Sequence, residues 1–197
     1  MKVDDIFLSF VNRKRDGEHT RKISRYWSSE INSIKGGYVT PKNFFEEKQK
    51  DISGCRNILT GIAFEDMLTK IFMAQKIDFV PQEKKEVKIG DEIVLVVKPD
   101  FVFPTMVIET KFPFSISESK TIPERYLYQL ECTYRAFPDK KVYVGFFSVP
   151  FNLELIEYVP SQRRWQNIQS LIVAFHKELK KLYPNGIVED DSKKHKL

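Results

Sequence analysis

The chain has 197 residues, with 32 Lys+Arg against 27 Asp+Glu, 3 His and 2 Cys, and it is 42% hydrophobic and 13% aromatic. That length suits one domain that buries about two thirds of its unfolded surface. The apolar content excludes a disordered or collagen-like chain, and no run of about 18 apolar residues exists to form a membrane-spanning helix. The start Met1-Lys2-Val3-Asp4-Asp5 has acids where a signal peptide is basic, so a cytoplasmic location is expected, that of a host cell if the chain is viral. Cys55 and Cys132 are too few for a four-cysteine zinc or iron–sulfur site, and both are expected to be packed thiols. Charge is uneven. Residues 1–50 hold 11 basic and 7 acidic side chains (+4), residues 51–159 hold 13 and 16 (−3), and residues 160–197 hold 8 and 4 (+4). Basic ends around an acidic centre suit a protein that holds a polyanion, and suit an ordinary solvated surface equally well.

In chain order, Thr20 to Ile34 carries Ile23, Trp27, Ile31 and Ile34 at helical spacing and is expected to be an amphipathic helix stopped by Gly36-Gly37. Thr40-Pro41 resembles a cap followed by proline in the first turn of a second helix. A longer helix is expected from near Cys55 to Ala74. β-Branched runs follow as strands: residues 86–89, a turn at Gly90-Asp91, then Ile93 to Val97, then Met106 to Phe112. Pro123 opens a helix whose Leu127, Leu130, Tyr134 and Phe137 share a face. Strands at Val142 to Val149 and Leu153 to Val159 precede a capped helix from Ser161 to Leu182, striped by Trp165, Ile168, Ile172, Phe175 and Leu179. This order predicts one α/β domain over residues 1–184. It comprises a helical part (1–52) and a core (53–184) with a mixed central sheet flanked by helices, followed by a polar tail over 185–197.

Four positions carry chemistry. Pro99 ends strand pairing and aims Asp100 at the strand's end. In Val107-Ile108-Glu109-Thr110-Lys111, Glu109 and Lys111 share one strand face while Ile108 and Thr110 take the other. A charged pair inside so apolar a strand is costly unless partnered or used. If that strand lies beside the one ending at Asp100, two carboxylates and an ammonium converge, which suits a hard divalent cation with sites left for water and substrate. The lysine would then orient that water or help deprotonate it. On a wheel of about 100° per residue, Glu65 falls within about 60° of Ile58, Gly61, Ile62, Leu68 and Phe72, in the middle of an apolar stripe. An inward Glu invites a metal, or it pairs with Lys111 or Arg125 and only holds the fold.

Pro99-Asp100, Glu109-Thr110-Lys111 and the preceding helical Glu65 resemble the PD-(D/E)XK nuclease superfamily. The likeness covers roughly residues 55–150. Tyr128-Gln129-Leu130-Glu131-Cys132-Thr133-Tyr134 is similar to the Gln-x-x-x-Tyr helix of the RecB-like branch and of CRISPR-associated nucleases. Here, however, Thr133 occupies the tyrosine position and Tyr134 follows it. Glu65 stands where those relatives carry a histidine, as in archaeal junction resolvases, and their cluster cysteines are missing, so no iron–sulfur cluster is implied. The resemblance implies a restriction-endonuclease-like core and a DNA nuclease dependent on Mg²⁺ or Mn²⁺. Asp100, Glu109 and the Thr110 carbonyl would ligate the metal, with Glu65 adding a ligand directly, through water or at a second ion. Lys111 would position water, and Gln129 would orient the lysine or touch the substrate. Small proteins of this kind occur in archaea and their viruses, which fits the Lys- and Ile-rich composition. Two other readings stay open: a non-catalytic nucleic-acid-binding protein on the same scaffold, and a junction resolvase acting as a homodimer.

Other features weigh less. His19, His176 and His195 are scattered, with surface or packing roles expected. Arg13-Lys14-Arg15, Arg21-Lys22-Arg25 and Arg163-Arg164-Trp165 could touch phosphates, with Tyr26, Trp27 or Trp165 stacking on a base, or they are exposed charges beside core aromatics. Gly36-Gly37 is no phosphate loop, because no Gly-Lys-Ser/Thr follows.

Overall fold

The computed structural model describes residues 21–46, 52–111, 121–148 and 152–184. Two sheets organise them. The smaller has the order β1-β4-β3, formed by β1 (Arg25–Trp27), β3 (Lys85–Ile89) and β4 (Ile93–Val97). The larger runs β2-β5-β6-β7-β8, from β2 (Val80–Pro81), β5 (Phe101–Val102), β6 (Met106–Lys111), β7 (Lys141–Ser148) and β8 (Asn152–Glu157). Four helices complete the described fold: α1 (Ile31–Lys35), α2 (Ile52–Ala74), α3 (Glu124–Ala136) and α4 (Gln162–Leu182).

The larger sheet is mixed: β6 and β7 are parallel, joined across α3, while the other neighbours are antiparallel. Residues alternate across β6 as the pleat requires. Val107 joins a core with Leu130 of α3 and Ile168 and Ile172 of α4 on one face. Ile108 joins Leu68 of α2, Phe101, Phe103 and Phe147 on the other. Helices therefore cover both faces, as parallel pairing demands. Ser161 caps α4, its side chain accepting from the Arg164 N–H, and Pro123 precedes α3. The turn between β3 and β4 uses Gly90 at φ 63°, a conformation that costs a glycine little.

The N-terminal helix expected from Thr20 to Ile34 is mostly absent. Residues 25–27 instead pair in parallel with β4, burying Tyr26 and Trp27 to 0% and 8% exposure, and a short 3₁₀ turn leads into α1. Ser24 turns the chain into this strand at φ 72°, and its carbonyl accepts from Val94 N–H. The apolar edge of β4 outcompetes helical periodicity, because pairing there buries both aromatics at once. Residues 41–45 form turns rather than a helix, closed by Thr40 and Asn43 bonding each other's backbone N–H groups. Phe112, Val149, residues 185–197, Arg13 to Arg15, His19 and His195 lie outside the described residues, as does the side chain of Cys55. Cys132 is a buried free thiol, as expected. No helix among the described residues is long and apolar enough to cross a membrane.

Candidate active site at the open end of β6

β5 pairs with β6 through only two residues, Phe101 with Ile108 and Val102 with Val107. The strand ending near Asp100 is thus not the expected neighbour of β6. Ile93 to Val97 belongs to the smaller sheet, and the two residues after Asp100 make the contact instead. Beyond β5 the edge of β6 is open, and Asp100 fills it. Its Oδ2 accepts from the Thr110 backbone N–H at 2.6 Å and from Thr110 Oγ1 at 2.7 Å. A residue's N–H and C=O point to the same edge of a strand. The Thr110 carbonyl therefore faces the side on which Asp100 sits.

Glu109 is 1% exposed. Gln129 Nε2 donates to its Oε2 at 3.0 Å, Thr133 Oγ1 donates to Oε1 at 3.3 Å, and Lys111 Nζ lies 3.5 Å from Oε2. The shared face expected for Glu109 and Lys111 is observed, and it is the face covered by α3. Burial pushes the Glu109 carboxyl up to about 7; Asp100 adds to the rise, while Lys111 and the Thr133 hydroxyl oppose it. Burial also works against the Lys111 charge, but Glu109, Asp100 and Tyr126 outweigh it and hold its pKa above the usual lysine value. The ammonium stands 5.7 Å from the centre of the Tyr126 ring. These neighbours favour the charged form of the lysine.

Glu65 approaches from α2. It lies at the margin of the apolar stripe rather than in its middle: Phe64, Met67, Leu68 and Phe72 make that face, and Glu65 is half-buried beside it. Burial raises its pKa to about 7, with Asp100 adding to the rise, while Gln82 and Lys111 counter it. Asp100 and Lys111 thus act on both Glu65 and Glu109, and the four charged groups share one electrostatic neighbourhood. No group of three His, Cys, Asp or Glu side chains among the described residues forms a ready-made metal cage. The donors fit a looser mode, in which Mg²⁺ takes one or two carboxylates and fills its octahedron with water and substrate oxygens. Asp100 and Glu109 with the Thr110 carbonyl supply hard oxygen ligands of that kind.

Three contributors escaped the sequence reading. Gln82 donates to Glu65 Oε2 at 3.3 Å, accepts from Lys98 Nζ at 3.2 Å, and sends its backbone N–H to the Asp100 carbonyl at 3.0 Å. It does so at φ 52°, a strained left-handed conformation for a residue with a side chain. Thr133, at the tyrosine position of the family pattern, bonds Glu109, while Tyr134 packs at the edge of the core with Arg135 over its ring. The third is Tyr126, beneath Lys111. Outside the site, Trp165 is 8% exposed and, like Tyr26 and Trp27, is core rather than a stacking platform. Arg21 and Arg25 pair with Glu30 and Glu86. A cavity of about 580 Å³ lies away from the carboxylates, beside Ile93, Val173 and His176. There His176 is buried and bonded to Tyr26 Oη at 2.8 Å and Glu92 at 3.4 Å, a packing role.

No family model and no curated protein matches the sequence. Solved structures do match the fold. SSO0001 superposes with a TM-score of 0.68 at 13% identity, over 91% of this chain and 88% of its own. An alkaline exonuclease, LHK-Exo from Laribacter hongkongensis, superposes with a TM-score of 0.58 at 10% identity, over 81% of this chain and 90% of its own. The same enzyme in complex with dAMP superposes equally well. The architecture is restriction-endonuclease-like. At these identities the likeness speaks for the fold alone.

Proposed function

We propose that the chain is a divalent-metal-dependent DNA nuclease that hydrolyses phosphodiester bonds at Asp100, Glu109 and Lys111. The observation that carries this reading is the buried Glu109 beside Lys111 on one face of β6, with Asp100 bound to the open strand edge next to them. The fold shared with an exonuclease agrees with it. So does the RecB-like pattern of the sequence, in which Gln129 takes the place of the family glutamine.

Asp100, Glu109 and the Thr110 carbonyl would hold Mg²⁺ or Mn²⁺, with Glu65 reaching the ion through water. Such an ion neutralises charge on the phosphate and lowers the pKa of a coordinated water. The chain's own groups do the rest. Lys111, kept cationic by two carboxylates, donates to the attacking water and to the phosphate oxygen on which negative charge grows. Gln129 and Thr133 fix the rotamer of Glu109, so its oxygens do not swing when substrate enters. Gln82 sets Glu65 against Asp100.

The test is cleavage of single-stranded, duplex, flapped and four-way DNA with Mn²⁺, with Mg²⁺ and with EDTA. Metal-dependent cutting that EDTA stops is the expected result. Salt-dependent DNA binding with no cleavage of any substrate would overturn it in favour of a non-catalytic binding protein. The oligomeric state and preference among these DNAs would decide whether a dimeric junction resolvase is the better description.

A further inference from the structure

One surface left unused by the proposed reaction is a basic groove on the far side of α3. It holds about 310 Å³, within the range of small-ligand sites. Lys35 of α1, Tyr128 of α3, and Arg163, Arg164 and Asn167 of α4 line it. Its three cations face one acid, Glu124, which pairs with Lys35 at 2.8 Å on an exposed rim. Arg163 makes no ion pair among the described residues and is exposed. Arg164 is held in place from below, hydrogen-bonded to Tyr158 Oη and 3.6 Å from the buried Glu131. The Lys35 ammonium stands 4.5 Å from the centre of the Tyr128 ring, which forms the wall between α1 and α3. Cations alternating with an aromatic wall are how grooves track a single nucleic-acid strand.

Position gives the groove its meaning. Tyr128 precedes Gln129, whose amide bonds Glu109, so the groove and the carboxylates flank the same turn of α3. Asn32 of α1 bonds the Arg125 carbonyl and fixes α1 across that turn. A strand leaving the carboxylates would cross α3, one helix width of about 10–12 Å, to enter the groove. We propose that this groove binds the phosphates of a single DNA strand whose scissile bond is placed at the carboxylates. This rests on the nuclease reading for the location of that bond, but the binding itself is independent of it.

The experiment is fluorescence anisotropy with a labelled oligo-dT 12-mer and no divalent metal, over 50–300 mM salt. Arg163→Ala and Lys35→Ala should each weaken binding about 3- to 10-fold. Each should also make the slope of log K against log salt shallower by about 0.7, the loss of one phosphate contact on a single strand. Arg163→Lys should recover most of the slope, and Ala in place of the exposed Lys88 of β3 should change nothing. Arg163→Ala and Lys35→Ala with wild-type affinity and slope would overturn the proposal, as would equal weakening by Lys88→Ala. Wild-type hydrolysis of a thymidine p-nitrophenyl phosphodiester with Mn²⁺ is read separately. Its absence alongside altered binding in the groove variants breaks the nuclease reading and keeps the groove. Its presence with unaltered binding does the reverse.

Discussion

Glu109, packed against α3, and Glu131, carried by α3, are both buried, at 1% and 0% exposure, yet their surroundings are opposite. Glu131 accepts from Arg135 Nε at 2.9 Å, Tyr158 Oη at 2.5 Å and the Ser161 backbone N–H at 2.8 Å, with Arg164 near. Two guanidiniums and a backbone donor satisfy that carboxylate, and it joins α3 to the start of α4. Glu109 has an amide, a hydroxyl and an ammonium at 3.5 Å, and burial lifts its pKa to about 7. Burial alone therefore does not separate the two acids. On the proposed reading, what sets Glu109 apart is the shortage of positive charge beside it and the open strand edge next to it, which would leave room for a metal. Protein donors instead satisfy Glu131 and make it a girder.

Exchange of roles would break this contrast most sharply. Glu109→Ala should lower metal-dependent cleavage by at least about 10³-fold while the protein stays folded. Glu131→Ala should cost about 3–5 kcal/mol by stranding the partners of a buried ion pair, about 8–15 °C in Tm for a chain of this size. If Glu131→Ala folds normally and Glu109→Ala unfolds, the assignment is inverted. Lys111→Ala comes next, with cleavage down about 10²-fold at saturating Mn²⁺. Full activity in that variant would remove the lysine from the chemistry.

The raised carboxyls sharpen the contrast through pH. Glu65 and Glu109 titrate near 7 when folded, against the ordinary 4.5. The folded state therefore binds more protons between these values, and stability in the absence of divalent metal should fall as pH rises from about 4.5 to about 7. Metal binding must displace those protons, so Mn²⁺ affinity should rise across pH 6–8. Glu109→Gln keeps the shape, removes the charge and should raise Tm at pH 8 without metal by about 3–6 °C, while cleavage is lost. A flat Tm profile over pH 4.5–7 would contradict the burial of these charges. The smallest effect belongs to Gln82. Gln82→Gly relieves the left-handed strain, so it should stabilise the fold by up to about 1 kcal/mol. The same change should raise the Mn²⁺ concentration for half-maximal cleavage several-fold, by releasing Glu65.

The period-two alternation of Val107, Glu109 and Lys111 was legible because a strand's faces depend only on parity, whatever its neighbours. The same holds for the stripe and cap of α4, where Ser161 and the spacing of Trp165, Ile168, Ile172 and Phe175 are local facts. The acids and the lysine that the structure brings together could be singled out from such patterns, with Gln129 added by the family resemblance. Tertiary structure decided the rest. Trp27 fits helical spacing with Ile23 and Ile31, but the vacant edge of β4 lies far along the chain, and only folding brings it within reach. On its antiparallel edge β6 pairs with two residues of β5 rather than with the long run before Pro99, since pairing depends on how sheets close. Gln82 and Thr133 meet Glu65 and Glu109 from separations of 17 and 24 residues, which no local pattern encodes.

Charge divides in the same way. Sequence alone set the +5 and its placement towards the two ends. Folding spends Arg21, Arg25 and Arg135 on acids of the protein itself and leaves Arg163 exposed in a groove across α3 from the carboxylates. Charge is a property of residues, but how far a charge is available to a ligand depends on the partners that three-dimensional packing supplies it.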